Sequence, residues 1–78
     1  MKTKVKFLIH KDDIPTVFAY FPEDIWNLAG HRTSYEHIGQ HGGCSEEYAQ
    51  ECIEAQPEEY NPLKNELETI GYQLEILN

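Results

Sequence analysis

Residues 3–21 decide the fold, and they read TKVKFLIHKDDIPTVFAYF. From Val5 to Ile9 every second position carries a large apolar side chain, which is typical of a strand with one buried face. Residues 11–15 contain Asp and Pro, which favour a turn because Asp bonds its own backbone and Pro restricts φ. Residues 16–21 are apolar at nearly every position, as in a strand that lies centrally in a sheet or is covered on both faces. The stretch therefore predicts a β-hairpin.

An irregular segment and a third strand are predicted after this hairpin. Pro22 has no N–H for a ladder hydrogen bond, so the second strand is expected to end there. The chain is then irregular as far as Thr33, with Glu23–Asp24 able to open one helical turn. Residues 33–41 alternate in polarity, and the following Gly42–Gly43 pair disfavours a helix and supplies an exit turn.

Two helices and a closing strand are predicted for the second half of the chain. Ser45 can cap the first helix, whose apolar stripe lies opposite a row of glutamates, and Pro57 ends it. The pair Asn61–Pro62 begins the second helix as N-cap and first helical residue. Gly71 is placed where a left-handed cap ends a helix, and residues 72–77 alternate as a strand does.

The predicted fold is therefore α+β, in the order β-β-β-α-α-β, as a single domain over residues 1–78. A four-stranded, mostly antiparallel sheet with both helices on one face gives a two-layer arrangement. Lys4 and Lys6 indicate that the first strand lies at an edge of this sheet, where lysines commonly prevent edge-to-edge pairing.

The composition excludes several classes of protein. With 14 acidic and 6 basic residues, the net charge is −8, so the chain lacks the basic surplus of a direct nucleic-acid binder. No stretch approaches the roughly 20 apolar residues of a membrane span. Residues 1–10 show no signal-peptide pattern, and Cys44 and Cys52 are expected to be free thiols, so the expected location is the cytoplasm.

The run from His37 to Cys44 is the densest group of potential metal ligands. Zinc takes nitrogen and sulfur ligands at about 2.0–2.3 Å. Residues four apart in a straight strand are separated by about 13 Å, so His37 and His41 can share an ion only if the chain bends at Gly39. We therefore interpret His37, His41 and Cys44 as ordinary strand and turn residues, with a zinc site as the alternative.

Cys44 also precedes a predicted helix and lies three residues from His41, which raises the hypothesis of a cysteine–histidine nucleophile. Glu46 and Glu47 in the first helical turn would instead stabilise the neutral thiol. No third group that orients the histidine can be identified. The sequence therefore predicts no catalytic residue, no enzymatic activity and no cofactor.

Three apolar residues in the irregular segment, Ile25, Trp26 and Leu28, are the best candidates for contact with a partner. Trp is favoured at protein interfaces, and an apolar patch that remains exposed commonly marks one. The competing interpretation is that these side chains anchor the segment onto the core.

Three motifs resemble those of a group of short bacterial proteins of unknown function. They are SYEHIGQHGG at residues 34–43, PEEY at 57–60 and ELETIGY at 66–72. The group shares an SYxHxGQHG run, a PxEY helix start and an LExIGY end, and its members occur near mobile elements. The resemblance covers roughly residues 5 to 77 and implies a small bacterial domain without an established activity. Pro62 departs from it, since a helix running unbroken from Pro57 would be disturbed there.

These observations predict a non-enzymatic interaction or accessory module that contacts a protein partner or a second copy of itself. Two alternatives remain open at this point. One is the zinc site described above. The other is an acidic mimic of DNA that occupies basic clefts, for which the eight Glu between positions 46 and 68 supply the charge.

Overall fold

The computed structural model describes residues 2–36 and 40–78. Its elements in chain order are β1 (Thr3–Ile9), β2 (Val17–Ile25), β3 (Arg32–Glu36), β4 (Gln40–Cys44), α1 (Glu46–Glu51), β5 (Ile53–Glu54), α2 (Pro57–Thr69) and β6 (Leu74–Ile76). The α+β class and the mostly antiparallel sheet are confirmed. The predicted four strands are wrong, because the described residues form a sheet of six.

Strand β1 lies inside this sheet. The strand order is β4-β3-β2-β1-β5, and β6 also pairs with β1. The predicted hairpin is confirmed, with Phe7 of β1 opposite Ala19 of antiparallel β2. On its other edge, β1 pairs in parallel with β6 over Thr3–Val5 and antiparallel with β5 at Leu8 and Ile9. The expectation that the lysine-bearing first strand is an edge strand is therefore wrong, since two later strands cover that edge.

The side chain of Asn78 fills the gap between β6 and β5 along β1. Its oxygen accepts a hydrogen bond from the Phe7 N–H at 2.8 Å. Its amide nitrogen donates to the carbonyl oxygens of Phe7 at 2.8 Å and of Ala55 at 3.0 Å. The Ala55 N–H also donates to the Phe7 carbonyl, at 3.0 Å. Asn78 thus acts as one rung of the ladder, which keeps the backbone of Phe7 paired.

Side chains of alternate residues place the two helices on opposite faces of the sheet. Val5 and Phe7 pack with α2, and the Phe7 ring stacks on Tyr60 with centroids 4.5 Å apart. Leu8 and Phe18 point the other way and pack with Ala49 of α1. We call these surfaces the α2 face and the α1 face. The prediction of both helices on one face is wrong, because β2 has buried side chains on both sides.

The two helices cover their faces unequally. Helix α1 begins as predicted, with the Ser45 hydroxyl oxygen accepting from the Tyr48 N–H at 3.1 Å. It ends after only six residues rather than at Pro57, because the chain extends to pair Glu54 with Leu8. Helix α2 has 13 residues and buries Tyr60, Leu63 and Leu67. The α2 face therefore holds the larger core, and the α1 face is covered by the shorter helix.

Helix α2 begins at Pro57, so the predicted start at Asn61 is wrong. Gln56 is the N-cap, and its backbone N–H donates to the Glu59 side chain at 2.8 Å in a capping box. Pro57 is tolerated in the first helical turn because a backbone N–H at that position would have no acceptor within the helix. Pro62 lies inside the helix and removes one backbone hydrogen bond there. Gly71 follows the helix end at a φ of 116°, as predicted.

Two further predictions about the middle of the chain need correction. Strand β2 does not end at Pro22 but reaches Ile25 through a register shift after Phe21, so there is no helical turn at Glu23–Asp24. A proline is tolerated in a strand at such an irregularity. The single strand predicted over 33–41 is a pair, β3 and β4, joined through residues outside the described ranges. Within the described ranges, no helix is long and apolar enough to cross a membrane.

Replacement of Asn78 by alanine is expected to lower the free energy of unfolding by about 1–3 kcal/mol, because the Phe7 N–H loses its partner. Urea unfolding followed by circular dichroism measures this change. Gln73→Ala is the matched control, since Gln73 is exposed and contributes only its backbone carbonyl, to the Thr3 N–H. Equal stability of Asn78→Ala and the unmodified chain would contradict the role of Asn78 as a ladder rung.

Candidate functional site

The predicted interaction residues lie on the surface at the end of β2. Ile25 is 66% exposed, Trp26 is 46% exposed, and Leu28 is fully exposed. Ile25 and Leu28 are therefore not core anchors, whereas Trp26 is about half covered and the two interpretations both apply to it. Exposed apolar side chains cost free energy in water, and a partner surface that covers them removes this cost.

A hydrogen-bonded turn holds these side chains in place. The Trp26 N–H donates to the His31 carbonyl at 2.7 Å. The side-chain oxygen of Asn27 accepts from the backbone N–H groups of Ala29 at 3.1 Å and of His31 at 3.2 Å. Gly30 has a φ of 87°, a conformation that other residues rarely adopt. The exposed residues therefore sit on an ordered turn.

The Trp26 indole lies directly against strand β4. A Cβ atom built on Gly43 would be 2.4 Å from Trp26 Cδ1, so only glycine allows this approach. Strand β4 is the last strand in the sheet order, and among residues 2–36 and 40–78 no strand pairs with its outer edge. We call Ile25, Trp26, Leu28 and the outer edge of β4 the Trp26 surface.

Gly43→Ala is expected to displace the Trp26 ring and lower the free energy of unfolding by about 1–3 kcal/mol, the usual cost of overpacking. Trp26 is the single tryptophan, so its fluorescence emission reports the displacement directly. Gly42→Ala is the matched control on the same strand, because its added Cβ would meet only Ser34 Oγ at 3.8 Å. Unchanged emission in Gly43→Ala would refute the close packing.

The metal-ligand candidates do not come together in the part of the chain that the structure describes. His41 lies opposite Tyr35 on the α2 face, and its Nε2 atom is 2.9 Å from the Tyr72 hydroxyl. Cys44 packs with Leu8 on the α1 face. His37 lies outside the described residues. Within them, no three His, Cys, Asp or Glu side chains are grouped so that they could hold a metal ion.

Cys44 lacks the surroundings of a nucleophile. Burial raises the pKa of its thiol to about 11, and the nearby Cys52 and Glu36 act in the same direction. The thiol is thus protonated at neutral pH, whereas nucleophilic attack requires the thiolate. His41 is on the other side of the sheet. Both Cys44 and Cys52 are free cysteines.

The raised pKa of Cys44 predicts a loss of stability at alkaline pH. In the unfolded chain the thiol loses its proton near pH 9.0, whereas the folded thiol keeps it until about pH 11. The folded state binds more protons over that interval, so the free energy of unfolding falls as pH rises through it. Urea unfolding at a series of pH values across the interval measures the slope.

Cys44→Ala is expected to flatten this slope, because the titrating thiol is gone. Cys52→Ala is the control, since it leaves the buried thiol of Cys44 in place. The same slope in Cys44→Ala as in the unmodified chain would show that another group is responsible.

His10 forms a polar cluster that the sequence did not indicate. Its Nδ1 atom lies 2.8 Å from the Tyr48 hydroxyl, and its Nε2 atom lies 2.7 Å from Glu36 Oε1. Its ring stacks on Phe18 with centroids 4.2 Å apart. Burial raises the pKa of Tyr48 to about 12, so that hydroxyl is protonated at neutral pH. These contacts tie the end of β1 to β3 and α1.

No spacing rule could have identified this cluster, since its members come from three separate elements. The sequence contained only a weak indication of it. His10 continues the alternation of Lys6 and Leu8, so its side chain lies on the same face of the sheet as theirs, which is the α1 face. Only the three-dimensional arrangement brings Tyr48 and Glu36 to it.

The chain matches no protein-family model, no curated protein and no solved structure. The arguments about function below therefore rest on the geometry of the chain itself.

Proposed function

We propose that this chain is a non-enzymatic interaction module and that a second copy of the chain docks on the Trp26 surface. One observation carries the proposal: Trp26, which lies between the exposed apolar residues Ile25 and Leu28 in the sequence, packs against Gly43 of a strand whose outer edge has no partner among the described residues. Such an edge presents unpaired backbone N–H and C=O groups to another chain. Neither an enzymatic reaction nor a cofactor nor a nucleic acid forms part of this proposal.

Two copies of one edge strand are complementary to each other. When they pair antiparallel about a two-fold axis, each strand meets the same residues in the partner, and the contact closes after two copies. Strand β4 contains Gly42 and Gly43, so at these two positions no side chain projects above or below the pairing strands. In this arrangement, the Trp26 and Leu28 side chains lie beside the new pairing and lose contact with water.

Electrostatics gives this dimer a defined salt dependence. Each copy carries a net charge of −8, so the two copies repel each other at low ionic strength. Added salt screens this repulsion, with a Debye length of about 8 Å at physiological ionic strength. The dimer is therefore expected to become tighter as salt is added, which is opposite to an interface that depends on ion pairs.

Sedimentation velocity over increasing protein concentration tests the proposal. We expect a monomer–dimer equilibrium that Leu28→Ser weakens about a hundredfold or more, because the dimer buries the leucines of both copies and each contributes about 1.5–3 kcal/mol. Ile14→Ser is the matched control, since Ile14 is 61% exposed but lies in the turn between β1 and β2. A protein that remains monomeric at about 1 mM, or an equal effect of both substitutions, would overturn the proposal.

A further inference from the structure

A groove of about 260 Å³ lies on the α1 face, beside the short helix α1. Leu8 and Ala49 form its apolar wall, and its polar groups come from Tyr20, Arg32, Glu46 and Lys6, of which Lys6 is already paired with Glu54. The groove exists because α1 is too short to cover the sheet. It is distinct from the Trp26 surface, whose tryptophan packs against Gly43.

Two hydrogen bonds fix the Arg32 side chain, and the rest of its guanidinium has no hydrogen-bond partner among the described residues. Its Nε atom donates to the Pro22 carbonyl at 2.9 Å, and its Nη1 atom donates to the Gly30 carbonyl at 2.8 Å. The remaining N–H groups have no partner among the described residues. Four lysines, in contrast, each pair with a glutamate; they are Lys4, Lys6, Lys11 and Lys64. A positioned guanidinium without a carboxylate is thus an exception in this acidic chain, and its geometry suits two carboxylate oxygens.

Tyr20 supplies a second donor in the same groove. The residue is only 6% exposed, and its hydroxyl has no hydrogen-bond partner among the described residues, although it keeps some accessible surface. Because Tyr20 lines the groove, that surface faces it. Burial, and then the Glu46 carboxylate, raises the pKa of Tyr20, so the hydroxyl remains protonated and is available as a donor. The hydroxyl can therefore donate to a group that enters the groove without first breaking a hydrogen bond within the described residues.

We propose that this groove binds an apolar group that carries a single carboxylate. The carboxylate accepts hydrogen bonds from Arg32 and Tyr20, and the apolar group packs on Leu8 and Ala49. The Glu46 carboxylate at the rim and the net charge of −8 oppose a dianion such as phosphate. Either a free apolar carboxylic acid or the carboxyl end of a peptide with an apolar last residue presents this chemistry.

NMR titration of the full chain with N-acetyl-L-leucine tests the proposal. Amide signals of residues that line the groove are expected to shift in a saturable manner within about 20 mM ligand, the range of a single small contact site. N-acetyl-L-leucinamide, which lacks the carboxylate, and inorganic phosphate are expected to leave those signals unchanged. Equal shifts with the amide, displacement by phosphate, or no saturable shift with N-acetyl-L-leucine would overturn the proposal.

A tripeptide, N-acetyl-Gly-Gly-Leu with a free carboxyl end, distinguishes the two sources. If the tripeptide binds more tightly than N-acetyl-L-leucine, the groove recognises the carboxyl ends of peptides. If the tripeptide binds more weakly, the groove recognises small carboxylic acids. Both results support the carboxylate site itself.

Matched variants separate the site from the fold. Tyr20→Phe keeps the packed ring and removes only the hydroxyl, so we expect about tenfold weaker binding, in line with a hydrogen bond to a charged group. Tyr72→Phe is the control, because Tyr72 lies on the α2 face and is partly buried as well. Arg32→Lys keeps the charge but not the two-pronged geometry and is expected to abolish binding at the same ligand concentrations. Unchanged affinity in both Tyr20→Phe and Arg32→Lys, with dispersed spectra, would refute the assignment.

Discussion

The structure depends on the complete hydrogen bonding of strand β1. One edge is paired with β2, and the other is shared by β6, Asn78 and β5 in succession. A buried backbone group without a partner costs about as much free energy as a lost hydrogen bond. The strand β6, the Asn78 side chain and the strand β5 must therefore each pair with a different part of β1. Strand β2, together with Leu8 of β1, buries apolar side chains on both sides of the sheet, which means that the sheet is stable only when helices cover both of its faces. The three layers of the fold follow from this one strand.

The same requirement explains why the two faces of the sheet are covered unequally. Because the chain must extend at Ile53–Glu54 to pair with β1, helix α1 cannot continue and is limited to six residues. The α2 face is covered by a longer helix and holds the larger core. The α1 face keeps uncovered strand surface, and there His10, Tyr20 and Arg32 place their polar atoms. The two-residue strand β5 thus limits the length of α1, and the strand surface that α1 leaves uncovered is accessible to ligands.

Sequence patterns predicted those parts of the fold in which local signals agree with the final environment. The hairpin of residues 3–21, the Ser45 cap and the Gly71 helix end are of this kind, because alternation and capping act over a few residues. The strand at 53–54 was not predictable, since its two residues pair with β1 across more than forty positions of the chain. The exposed Trp26 segment was identified from its composition. The His10 cluster was missed, because no periodicity links a strand end, a second strand and a helix.

The arrangement around β1 also has a consequence for the synthesis of the protein on the ribosome. Strand β1 leaves the exit tunnel first and can pair with β2 soon afterwards, because the two are close in sequence. Its second edge stays bare until β5 and then β6 have been translated, and during that time an apolar strand is exposed on a growing chain. Non-local pairing of this kind is slow and favours aggregation of incomplete chains. The bare edge of β1 is therefore the part of an incomplete chain at which strand pairing with another molecule is expected first.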